Sequence, residues 1–139
     1  MARAPDELNA RKGVDALATL AHRREAGLRA ALSRATSAVI EAKASVTACE
    51  QAEATLHGAW RDTLNQGGLY ARREAVRASV RVEGARAALG EAKARRAAAL
   101  QHLQQVEAEV QRQHERLHAN ARKQEKLREL QALLRRAPR

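Results

Sequence analysis

Residues 114–118 read His-Glu-Arg-Leu-His. On a helix, two histidines four residues apart share a face and can hold zinc, and the glutamate beside the first can activate a metal-bound water. The surroundings argue against that chemistry. Leu117 falls on an apolar seam, so His114 and His118 flank the seam on an open helix. The extended form of the motif asks for Gly and His at positions 121 and 124, where this chain has Ala and Gln. A catalytic zinc also needs a third ligand and a shaped cavity. No metal site and no cofactor is expected beyond adventitious Ni or Zn on the histidine pair.

The other reactive residue types form no set. Cys49 is the only cysteine, so no intrachain disulfide can form, in keeping with a reducing cytosol. On the seam it reads as a small hydrophobe. His22, His57 and His102 read as surface helix residues. There is no Gly-rich phosphate loop and no Ser/His/Asp set. The chain is expected not to be an enzyme.

The elements that carry these residues follow from composition and period. The 139 residues are 45% hydrophobic but only 1% aromatic, with no Phe, and Ala dominates the apolar count. That profile belongs to long helices or coiled coils. Disorder is disfavoured, because Pro occurs only at Pro5 and Pro138. From Val14 to Thr63 one apolar row runs Val14, Ala21, Leu28, Ala35, Ala42, Cys49, Leu56, Thr63. A second row runs Ala18, Glu25, Leu32, Val39, Val46, Glu53, Trp60. Steps of three and four make a narrow helical seam. Glu25, Glu53 and Thr63 break it.

The second half repeats the pattern. Its rows are Ala75, Val82, Leu89, Arg96, Leu103, Val110, Leu117, Gln124 and Ala78, Ala85, Ala92, Ala99, Val106, Gln113, Asn120, Leu127, Leu134. Arg96, Gln113, Asn120 and Gln124 interrupt. Between the halves, Asn65-Gln66-Gly67-Gly68 supplies helix-ending residues. The expected fold is all-α. Helix 1 spans about 6–64, a turn lies at 65–68 near Gly67-Gly68, and helix 2 spans about 69–136. Together they form an antiparallel coiled-coil hairpin, a single domain over 1–139. Folding back at Gly67 sets Trp60 against Ala75, Leu56 against Ala78, Val46 against Leu89 and Ala42 against Ala92. The polar interruptions Arg96, Gln113 and Asn120 either fix the register or mark where the helices splay.

An Ala-on-Ala seam buries little area, so a bare hairpin should be marginal. Dependence on a partner, or on a second copy in a four-helix bundle, is therefore expected. No apolar run reaches the length of a membrane span, and membrane insertion is not expected. The N-terminus is charged where a signal peptide would be apolar, which points to a cytoplasmic location.

The net charge is +10, and nearly all of it lies in the second half. Arg3, Arg11 and Lys12 would gather with Arg122, Lys126, Arg128, Arg135 and Arg136 at the terminal end of the hairpin. This reads either as a solvated surface or as a docking site for an acidic partner. At the opposite tip, Trp60, Leu64, Leu69 and Tyr70 form a cluster of large apolar residues, with Arg72, Arg73 and Arg77 nearby. The cluster would either seal the turn or act as a contact knob.

A basic, Ala/Arg/Gln-rich hairpin of this size resembles the FliJ/YscO family, the central stalk proteins of flagellar and virulence type III secretion systems. The resemblance covers the whole chain and rests on architecture rather than on a short motif. It implies a non-enzymatic stalk or adaptor, cytoplasmic and peripheral to the inner-membrane secretion apparatus. Its terminal end would sit in a hexameric secretion ATPase, with Arg3, Arg11, Lys12, Arg128, Arg135 and Arg136 meeting the ring. The tip residues would face the export-gate protein or secretion chaperones. Two alternatives stay open. One is a basic nucleic-acid-binding coiled coil, although the chain offers few aromatics for stacking and no specific nucleic-acid fold. The other is a secreted WxG-like hairpin, for which Trp60-Arg61-Asp62 lacks the Gly.

Overall fold

The structure is a computed structural model, and it describes residues 3–65 and 72–136, with side chains from Pro5 onward. It is a helical hairpin of two long helices packed against each other, α1 (Arg3–Asn65) and α2 (Arg72–Arg136). At 63 and 65 residues, each helix contains about 95 Å of rise. Asn65, expected in the turn, still belongs to α1. The expected Gly67-Gly68 turn and the first residues of the expected second helix lie outside the described residues.

The local reasons for helix are plain. Ala, Leu, Arg, Gln and Glu are strong helix formers. Pro5 falls in the first turn of α1, where a missing N–H costs nothing. Asp6 and Glu74 lie in the first turns, and Arg135 and Arg136 close α2, all matching the helix dipoles. The threonines are accommodated locally. Thr19, Thr36, Thr47, Thr55 and Thr63 each donate the hydroxyl to the carbonyl four residues back.

By its internal contacts the chain divides into two compact units. The first is Met1–Ser37 with Ala108–Arg139. Among the described residues, its buried side chains are Ala21, Ala35, Gln113 and Asn120. The second is Ala38–Glu107, with Ala42, Val46, Leu89 and Ala92 buried. Both cores are thin, because each buried methyl contributes only about 0.8 kcal/mol. The seam rows expected from the heptads are the covered rows: every α1 member is buried or half-buried, and on α2 only Ala75 and Arg96 are exposed.

The pairing across the seam differs from the fold-back register. In the second unit, that register sets Glu53 against Val82. Instead Glu53 meets Arg96, at 2.9 Å. Fourteen residues of helix is about 21 Å, more than two side chains can span. Trp60 is not seated on Ala75 either, since Ala75 is exposed while Trp60 is half-buried. In the first unit, the same register would set Ala21 against Gln113. The residues found there are Asn120 and Gln124, seven and eleven positions further along α2: the Asn120 amide donates to the Ala21 carbonyl at 2.9 Å, and the Gln124 amide lies 3.5 Å from it. The physical reason is that an alanine-rich seam is degenerate: sliding one helix along the other replaces Ala or Leu with another Ala or Leu. The polar seam residues are not interchangeable, and they decide the register.

Candidate interaction surfaces

The interruptions of the two helices meet each other. In the first unit, Gln124 donates to the Glu25 carboxylate at 2.9 Å and lies 3.5 Å from the Ala21 carbonyl that Asn120 also reaches. Arg29, one turn along α1, donates twice to the other Glu25 oxygen, at 2.8 and 3.0 Å. These contacts hold the Glu25 carboxyl below its usual value, with the Gln124 amide the larger cause and the Arg29 guanidinium the next. In the second unit, Arg96 Nη1 is an ion-pair partner of Glu53 Oε2, without the linearity of a full hydrogen bond. In the first unit, Gln113 turns back along its own helix to Glu109 at 2.8 Å, leaving its buried carbonyl oxygen without a partner. That bond, then Arg112, lowers the Glu109 pKa.

This matching had a signal in the sequence that heptad phase alone does not use. Glu25 and Glu53 are four heptads apart, and so are Arg96 and Gln124. A fold-back at Gly67 brings together neither Glu25 with Gln124 nor Glu53 with Arg96.

The terminal basic residues divide into two kinds. Arg11 is engaged within the chain, donating to the Leu134 carbonyl at 2.7 Å. That carbonyl lies in the last turn of α2, where no intrahelical N–H remains to meet it, so Arg11 caps the helix. Beside it, Gln131 donates to Asp15 at 2.7 Å. Lys12, Arg122, Lys126, Arg135 and Arg136 are exposed. Arg128 is exposed too, 3.9 Å from Glu125 on its own helix. The Arg3 side chain lies outside the described residues.

At the tip, Trp60 is half-buried in its seam row, whereas Leu64 is exposed. Leu69 and Tyr70 lie outside the described residues. Arg72, Arg73 and Arg77 are exposed on the first turns of α2, alongside exposed Val76 and Val80. Sequence reasoning passed over these valines, because they stand off the heptad rows. It also passed over a groove in the first unit lined by Leu17, Leu20 and Leu127.

His114 and His118 are exposed, with Leu117 between them half-buried in the seam. Among the described residues there is no group of three or more His, Cys, Asp or Glu side chains placed to hold a metal. Among them, too, no helix is long and apolar enough to cross a membrane. Comparison of the chain with protein-family models, with curated proteins and with solved structures found no match.

Proposed function

We propose that the chain is a non-enzymatic stalk or adaptor of a secretion ATPase. Its basic terminal residues dock in the hexameric ring, and its tip contacts an export-gate protein or secretion chaperones. The observation that carries this reading is the architecture. Two uninterrupted helices of 63 and 65 residues pack on each other through a thin alanine seam. They leave Lys12, Arg122, Arg135 and Arg136 exposed to solvent. Such a hairpin presents surface along two long helices and invests little in a core, which suits a part that works by contact. Exposed cations favour a partner with an acidic lining and speed the encounter with it.

The test is reconstitution with a purified hexameric secretion ATPase from the same organism. The purified hairpin should co-elute with it and raise its hydrolysis rate or its hexamer fraction. The variant Lys12→Glu/Arg135→Glu/Arg136→Glu should lose both effects while keeping its helicity. Absence of co-elution together with an unchanged hydrolysis rate would rule the reading out.

A further inference from the structure

We propose that one face of the first unit, running from Leu17 and Leu20 on α1 to Leu130 and Leu133 on α2, is a docking groove for an acidic amphipathic helix of a partner protein. This surface is distinct from the terminal arginines, and the proposal holds whether or not the chain acts on an ATPase.

The groove has a volume of about 410 Å³. Its floor is the seam itself, Ala21 and Asn120, both buried. Leu17, Leu20 and Leu127 form its apolar walls. Leu17 is 55% exposed and Leu20 59% exposed, although a leucine off the seam has no structural task on a hairpin. The apolar surface continues along α2. Leu130 follows Lys126 by four residues and Leu133 follows Leu130 by three, the spacings that share a helix face. Both are exposed. Across from them α1 carries Gly13, where a Cβ would meet nothing within 4 Å, so the space above is open.

The rim identifies the occupant. Arg24, Lys123 and Lys126 line the groove, and no acidic side chain does. Among the described residues, none of the three is engaged in an ion pair. An apolar trough between two helices takes a third helix by its i, i+3, i+4 anchors. Cations along the edges then select one whose flanks carry Asp or Glu. A second copy of this chain would bring two such cationic rims together. A lipid surface would need the leucines to stand out, whereas Leu17, Leu20 and Leu127 wall a concave space.

The test uses the full chain and three fluorescent synthetic peptides of about eighteen residues, long enough to form helix on binding. One carries a leucine stripe flanked by Glu, one the same stripe flanked by Lys, and one is a scramble of the first. The Glu-flanked peptide should bind about tenfold more tightly than the Lys-flanked one, and the scramble should not saturate. Leu17→Ala/Leu20→Ala should abolish binding while leaving circular dichroism and melting unchanged, since both side chains are already exposed and Ala is a strong helix former. Lys123→Glu/Lys126→Glu should reverse the peptide preference. Equal affinity for the two charged peptides, no saturable binding, or binding untouched by these substitutions would each overturn the proposal. So would competition from phosphatidylcholine–phosphatidylserine vesicles, which would assign the face to lipid. A dimer in sedimentation that the Leu17/Leu20 variant loses would assign it to a second copy. The reconstitution test above depends on Lys12, Arg135 and Arg136, so either proposal can fail alone.

Discussion

Asn120 is only 4% exposed, and its amide nitrogen is spent on the Ala21 carbonyl. A buried amide contributes little net stability, but in the wrong register it would be left unpaired. Asn120→Leu should therefore stabilise the hairpin by roughly 1 kcal/mol in urea unfolding and loosen its register. Spin labels at Thr19 and Arg122 should report a single distance in the parent chain and a broadened or doubled distribution in the variant. A narrow, unchanged distribution would assign the register to other residues. Glu25 carries a pH dependence. Its carboxyl lies below the usual 4.5 in the folded chain because Gln124 and Arg29 bond to its charged form. The unfolded chain then binds the proton first as pH falls. The contribution of Glu25 is whole above 4.5 and is lost as pH drops through the lowered value. Urea midpoints taken from pH 7 down to pH 3 should fall, and Glu25→Gln should flatten that fall. If the variant's acid limb matches the parent's, the Gln124 contact is not what titrates.

The helices themselves were readable from the chain: strong helix formers, two prolines confined to the ends, and heptad rows that became the covered rows. What could not be read at this level was which heptad of α1 meets which heptad of α2. Ala42 and Ala92 are each 3% exposed, yet either could pack against several equivalent alanines. The same smallness predicts intolerance. Ala92→Leu should cost about 1–3 kcal/mol by forcing the helices apart, measured as a lower urea midpoint. The opposite holds for the exposed mid-helix glycines of α2. Gly84 and Gly90 have no positive φ, and a Cβ at either would meet nothing within 4 Å. Gly84→Ala and Gly90→Ala should each stabilise by about 0.5–1 kcal/mol. A fall in melting temperature for either variant would show that its glycine serves a contact rather than simply lowering helix propensity.

At the scale of the whole molecule, charge opposes a thin core. The chain carries +10, and five of the six Arg–Glu ion pairs among the described residues join positions three or four apart on one helix, leaving Arg96–Glu53 to cross the seam. Exposed pairs of that kind contribute little, so repulsion should dominate. Raising NaCl from low to physiological strength should increase the melting temperature by screening it. A decrease would mean that the ion pairs outweigh the repulsion. The candidate sites follow the same division of legibility. The terminal arginines and the tip were visible as composition, but Arg11 turned out to be a helix cap, because a carbonyl without an N–H partner lies within its reach. The leucine groove stayed hidden because Leu17, Leu20, Leu130 and Leu133 are off the heptad rows on two separate stretches of chain. The sequence alone determined two long helices, their seam faces and the sign of their charge, since these depend on propensity, period and residue type. Only the tertiary structure decided the register and the surfaces built from both helices. A seven-residue repeat is blind to sliding by seven, and the choice falls to where Glu25, Glu53, Arg96, Asn120 and Gln124 find partners.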